Sequence, residues 1–192
     1  MTDAKTIMQL RQITGAGIMD AKQALDECGG DIEAAKDVLR KKGQAKAAKK
    51  AGRETAEGLV GSYIHANGKL GVLVEIACET DFVARGDEFK TLVSDIAMHI
   101  AAADPQYLSR EEVPQDIIAK EHEIATGQAA GKPADMLERI VGGKLDKFYA
   151  ENCLLEQEYI KDDSLTVQQR VEQAIAKIGE NIQVRRFCRF AL

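Results

Sequence analysis

No stretch of the 192-residue chain approaches the roughly 18 consecutive apolar residues of a membrane-spanning helix, and the N-terminus lacks the basic and then apolar zones of a secretory signal. A soluble, cytoplasmic protein is expected. Cysteine is sparse: Cys28, Cys78, Cys153 and Cys188 lie far apart with no CxxC pair, so neither a zinc ribbon nor a secreted disulfide framework is suggested. Mostly free thiols are expected. Catalytic signatures are missing too. The histidines His65, His99 and His122 fall on a strand, a helix and a hairpin arm, and EHEIAT around His122 is not HExxH, so solvated or stripe-edge positions are expected for them. Ser62 and Ser94 sit in no GxSxG, and carboxylates are too plentiful for a catalytic pair to stand out. The TGAG at Thr14–Gly17 has no following GK[ST] and no preceding strand, which makes it an interhelix turn and not a phosphate loop. Catalytic residues, metal ligands and a bound cofactor are therefore not expected, and the chain does not read as an enzyme.

What the chain does contain is apolar material for a core. With 45% hydrophobic and 30% charged residues, it suits one ordinary domain with a small companion. The net charge of −5 hides a segregation: Arg40, Lys41, Lys42, Lys46, Lys49, Lys50 and Arg53 place seven positive charges in a stretch without an acid, leaving −12 for the rest. A mostly acidic body, with no aromatic interleaved in the basic run, argues against a direct nucleic-acid role. The run itself keeps two readings, an RNA-associated arm or a solvated linker.

Periodicity organises the rest. Ile7 and Leu10 share a face of a first short helix that the TGAG turn ends. Ile18, Ala21, Leu25 and Cys28 define a second, closed by Gly29 and Gly30, and Asp31 caps a third carrying Ala35, Val38 and Leu39. An N-terminal three-helix domain over 1–45 and a basic linker over 46–57 are expected, with an α+β core over 58–192. From Leu59 the period becomes two. LVGSYIHANGKLGVLVEIAC predicts two strands joined at Asn67 and Gly68 by a type I′ turn, with Leu70, Val72, Val74 and Ile76 on one side. Phe89, Leu92, Val93, Ile96 and Ile100 then mark an amphipathic helix stopped at Asp104 and Pro105. A helical hairpin follows over about 115–149, turning at Gly131 to Pro133, its second arm weakened by Gly142 and Gly143 at roughly 1 kcal/mol each against Ala. A strand-like CLLEQEYI, a helix carrying Val167, Val171, Ala174, Ile175 and Ile178, and a last strand in IQVRRFCRF complete an antiparallel-sheet core.

One segment fits this scheme awkwardly. In CETDFVAR, at 78–85, Phe82 occupies the turn between a strand and a helix. A large apolar side chain there is either a core plug beneath the turn or an exposed wedge for a partner.

Three segments taken together, RQITGAGIMDAKQAL, CETDFVAR and AIAKIGENIQVRRF, resemble the signature segments of bacterial translation elongation factor Ts, and the AKAAKKAGR run and GSYIH strand extend the resemblance nearly end to end. Ile18 and Met19 stand where the family usually has two methionines. The length resembles the short form of the family. That resemblance implies a UBA-like N-terminal domain, a homodimer formed through the sheets, and guanine-nucleotide exchange on elongation factor Tu without a cofactor. It further implies that the turn of Thr80, Asp81, Phe82 and Val83 enters the GTPase domain of the partner, Phe82 wedging beside the magnesium site and Asp81 supporting the distortion. Ile178 and Gly179 would lie alongside the wedge, though Ile178 also reads as a plain helix-end core position. Lys22 would dock on the same GTPase domain, or be an ordinary surface lysine, and His65 matches a contact position. Cys188 becomes a candidate for an intersubunit disulfide, against the alternative of a free or buried thiol.

Overall fold

The computed structural model describes residues 3–192. They divide into two compact units, one built from 3–60, Glu75–Val93 and Gln169–Val184, the other from Gly61–Val74, Ser94–Gln168 and Arg185–Leu192.

In the first unit, helices α1 (Ala4–Thr14), α2 (Ile18–Glu27) and α3 (Ile32–Ala48) form the expected bundle. Its centre is Leu10, Ala21, Ala24, Leu25 and Ala35, all buried. Small residues dominate because three short helices must approach closely to bury anything. Gly15 ends α1 at φ 68°, and its N–H returns to the Arg11 carbonyl at 2.8 Å. Asp31 caps α3 by accepting from the N–H groups of Glu33 and Ala34 at 2.9 and 3.1 Å. The third helix is longer than its apolar stripe predicts and runs through the first nine residues of the basic stretch, Arg40 to Ala48. Lys42 on Glu27 and Lys46 on Asp20, both at 2.8 Å, bind this extension to α2, and Ala47 is buried.

Strands β1 (Glu57–Ile64), β2 (Leu70–Cys78) and β5 (Ile182–Ala191) form a sheet in the order β1-β2-β5. Leu192 N–H meets the Lys69 carbonyl at 3.0 Å, which sets the end of β5 beside the start of β2 and makes that pair antiparallel. The β1–β2 connection is not type I′. That turn needs positive φ at both Asn67 and Gly68, and only Gly68 has it, at 68°. His65 instead accepts from Gly68 N–H at 2.8 Å and donates to Leu70, and the Asn67 side chain accepts from Lys69 N–H at 3.0 Å. The asparagine serves as a side-chain acceptor and leaves the left-handed conformation to glycine.

Helix α4 (Asp81–Arg85) is a single turn between β2 and α5 (Asp87–Ala103). Phe89, Leu92, Val93, Ile96 and Ile100 of α5 are all buried, as their spacing predicts. Asp104 at φ 50° and then Pro105 end it. The hairpin arms are α6 (Gln115–Gln128) and α7 (Ala134–Asn152), the second continuing through Gly142 and Gly143. Helix α8 (Val167–Ile178) buries Val167, Val171, Ala174 and Ile175. The strand expected in CLLEQEYI is largely absent: Cys153 makes an isolated bridge to Tyr107, Leu154–Glu156 is a 3-10 turn, and Glu158–Tyr159 forms the short strand β3, paired with β4 (Asp162–Thr166). Buried Gln157 lies between the two, its amide donating to the carbonyls of Ala103 and Glu151 at 3.2 and 2.8 Å. Those bonds hold the chain out of a regular ladder. The α+β class holds throughout.

Candidate functional site

The turn between β2 and α5 leaves Phe82 84% exposed, the largest exposure of any phenylalanine in the described chain. The core-plug reading is thereby overturned. Its neighbours Cys78 and Ala84 are the buried ones, so the turn directs these small side chains inward and the phenyl ring outward.

The turn is anchored through Thr80. Its hydroxyl oxygen accepts from Val83 N–H at 3.3 Å, capping α4, and its carbonyl accepts from Ala84 N–H at 3.2 Å and from the Cys78 thiol at 3.3 Å. Burial, reinforced by the nearby Glu180 carboxylate, pushes the Cys78 thiol up, so it stays a neutral donor. Thr80 also donates twice to Glu180, from its hydroxyl at 2.7 Å and from its N–H at 3.0 Å. Asp81 pairs with Arg85 at 2.8 Å one turn along α4. Both partners are exposed, so this pair contributes at most about 1 kcal/mol.

Glu180 brings in the end of α8. Gly179 closes that helix at φ 91°, its N–H on the Ile175 carbonyl at 2.9 Å and its own carbonyl accepting from the Lys50 ammonium. Ile178, just before it, is half-buried. Asn181 N–H donates to Glu79 at 2.6 Å, and the Asn181 amide donates to the Arg53 carbonyl at 2.8 Å. The Arg53 guanidinium reaches Glu79 at 3.5 Å. A Cβ placed at Gly15 would lie 3.5 Å from Cδ of Lys177, so the TGAG turn of the bundle also borders this helix end. Three separated sequence segments therefore meet at the end of α8: residues 50–53, 79–83 and 177–181.

Sequence comparison sets this geometry in a family. The family model for Elongation factor TS matches residues 32–174. The elongation factor Ts of Geobacter sulfurreducens is 59% identical over 191 residues, covering 98% of this chain and 88% of that protein. The chain belongs to the elongation factor Ts family. The elongation factors Ts of Fervidobacterium nodosum (59% identical, 98% of this chain and 97% of that protein) and Caldanaerobacter subterraneus (58%, 99% and 96%) match over comparable lengths.

Within this elongation factor Ts fold, Thr80, Asp81, Phe82 and Val83 are contiguous on the anchored turn, and Glu180 ties them to Ile178 and Gly179. Lys22 stands exposed on α2, and no hydrogen bond joins it to the turn among the described residues. His65 belongs to the other unit, where its Nδ1 lies 3.0 Å from the Tyr63 hydroxyl at the exposed β1–β2 turn. Cys188 is a half-buried free thiol on β5. Sequence reasoning passed over Glu79, Glu180, Asn181, Lys50 and Arg53. A signal was there: Glu180 and Asn181 directly follow Ile178 and Gly179, and an acid precedes both Thr80 and Asn181. The basic run is also largely engaged within the chain. Arg40 pairs with Asp37, Lys42 with Glu27, Lys46 with Asp20, Arg53 with Glu79, and Lys50 with a carbonyl.

Proposed function

We propose that this protein is a guanine-nucleotide exchange factor for elongation factor Tu, with Phe82 as the wedge that opens the nucleotide site. The observation that carries this reading is an aromatic ring 84% exposed on a turn anchored through Thr80. An exposed phenylalanine gains nothing from the protein's own fold, whereas burying it in a partner is worth about 1.5–3 kcal/mol. Anchoring adds the stiffness that a lever needs.

In this mechanism Phe82 enters the partner's GTPase domain beside its magnesium site, Asp81 supports the displacement, and Ile178 and Gly179 flank the ring. Magnesium requires nearly ideal octahedral geometry, so a small displacement weakens it and loosens the diphosphate it bridges. A thousandfold faster GDP release takes about 4 kcal/mol, and one desolvated aromatic anchor carries about 2–4 kcal/mol. Phe82 thus supplies much of the effect, with Lys22 on the UBA-like bundle and His65 adding contacts elsewhere. No covalent step is required. By reciprocity, GDP weakens the factor's binding by the same ratio that the factor weakens GDP's.

Self-association through the sheet belongs to the same proposal. Ile64 and Leu73 are exposed, and a Cβ at Gly71 would lie 3.0 Å from Cδ1 of Ile64, which puts these side chains on one outward sheet face. Phe190 on β5 is 71% exposed. A second copy would cover such a face, and Cys188 on the same strand is the candidate for a bridge between copies. The proposed domain limits remain 1–45, 46–57 and 58–192, and the proposed setting is the cytoplasm.

The direct test loads elongation factor Tu with fluorescent GDP in magnesium and follows release after adding this protein. Fast release that is lost with Phe82→Ala supports the reading. A folded sample that leaves the release rate unchanged ends it.

A further inference from the structure

Two short segments at this site exchange acids. Glu79, the residue before Thr80, accepts the N–H of Asn181 at 2.6 Å. Glu180, the residue before Asn181, accepts the N–H and hydroxyl of Thr80 at 3.0 and 2.7 Å. Each carboxylate holds the backbone of the other segment. We propose that this reciprocal pair, through Glu180, positions the helical turn that carries Phe82, making Glu180 a positioning residue for nucleotide exchange. The role rests on the exchange reading above; the clamp itself does not.

Helix α4 has few other means of staying ordered. It contains five residues, far fewer than a helix needs to persist in water on its own. Phe82 is too exposed to fasten it by burial, and the Asp81–Arg85 pair is a surface one. Gly86 follows at φ −67° and ψ 145°, an extended conformation, so no continuous helix into α5 braces it. Ala84 is buried and Gly86 N–H closes the turn on the Val83 carbonyl at 2.9 Å, which holds the far end of α4; order at the end that carries Phe82 must enter from the N-terminal side.

Thr80 is the point of entry, and Glu180 fixes its state. A threonine hydroxyl has one proton and rotates freely. Donation to Glu180 at 2.7 Å commits that proton and turns a lone pair toward Val83 N–H, 3.3 Å away. The second bond, from Thr80 N–H, fixes the backbone to the same carboxylate. Charge-assisted bonds of this kind are roughly twice as strong as neutral ones. Glu180 is itself held, since Gly179 before it accepts from Lys50, and Asn181 after it is bonded to Glu79 and to Arg53. A wedge transmits force only if its own support does not yield, which is the benefit of preorganisation.

The test uses the full-length protein carrying Glu180→Gln. The amide retains one acceptor and nearly the same size, but sets an NH2 against one of the two Thr80 donors. In the free protein, the amides of Val83 and Ala84 should exchange with deuterated water about tenfold faster, while that of Leu92 on α5 keeps its parental rate. In the GDP-release assay the maximal rate should fall about tenfold, with the half-saturating concentration of the factor changing less than about threefold. Glu180→Ala, which removes both acceptors, should enlarge both effects. Parental amide rates in Glu180→Gln would overturn the clamp. Faster amides with an unaltered maximal release rate would overturn the positioning role. If Phe82→Ala also left release untouched, the exchange reading would fall with that role, while the amide rates would still decide the clamp.

Discussion

At the residue scale, two positions show how differently a side chain can matter here. Phe82 contributes exposure and Gly58 contributes absence. Because Phe82 is 84% exposed, Phe82→Ala should leave the melting temperature within about 2 °C of the parent, since exposed sites usually move stability by less than about 0.5 kcal/mol. The same change should slow GDP release from elongation factor Tu by about 30-fold or more, the factor that a lost 2 kcal/mol anchor implies. Calorimetry on the free protein and stopped-flow release check the two halves separately. At Gly58, φ is 151°, and an added Cβ would meet the Ile76 carbonyl oxygen at 2.3 Å and the Ala77 Cα at 2.7 Å. Backbone cannot retreat as a flexible side chain can. Gly58→Ala should therefore cost about 2–4 kcal/mol, read as a lower urea midpoint. The motif around Phe82 is plain in the sequence, but its exposure is not, because it depends on the turn directing Cys78 and Ala84 inward in its place. Glu180 stands beside the matched Ile178 and Gly179, but its bond to Thr80 is not legible, because that partner lies 100 residues away in sequence.

At the element scale, amphipathic periodicity carries most of the information. Helix α5 follows its stripe from Phe89 to Ile100, and the three N-terminal helices follow theirs, because burial of one face decides whether a segment is helical. The discrepancies occur where burial is not the deciding term. The continuation of α3 to Ala48 has no apolar stripe and is secured by Lys42 and Lys46 on the acids of α2, a pairing that no local pattern contains. The CLLEQEYI segment reads as strand-like from its composition, yet Leu154–Glu156 is a 3-10 turn followed by Gln157, whose buried amide donates to Ala103 and Glu151. Capping is local and therefore legible, and it gives a prediction of its own. Asp31 accepts two N–H groups at the start of α3, so Asp31→Ala should destabilise the protein by about 1 kcal/mol. Asp31→Asn, which keeps an acceptor, should recover most of that loss in the same urea titration.

At the scale of the whole molecule, one buried histidine gives stability a pH dependence. His99 is 0% exposed, against the sequence expectation of a solvated or stripe-edge position. Its Nδ1 accepts from Ile160 N–H at 3.2 Å, so the proton resides on Nε2, which donates to the side-chain Oε1 of Gln157 at 3.0 Å. The Gln157 amide is committed to Ala103 and Glu151, which fixes that orientation. A second proton on Nδ1 would face the Ile160 N–H inside the buried core, where a charge is poorly solvated. Burial accordingly lowers the His99 pKa below its ordinary 6.5, only partly offset by the bond to Gln157. As pH falls below about 6.5 the unfolded chain takes up a proton that the native protein refuses. Stability should thus be insensitive to this group above that value and decline below it, by up to about 1.4 kcal/mol per pH unit, until the folded state also protonates. Carboxylates add their own dependence at lower pH, so the informative quantity is the difference between the parent and His99→Gln. The variant should be less stable at pH 7.5, having lost a packed ring, yet show a shallower decline between pH 7 and 5.5 in urea unfolding. Parallel declines would mean that His99 accepts its second proton in the folded state as readily as in the unfolded chain.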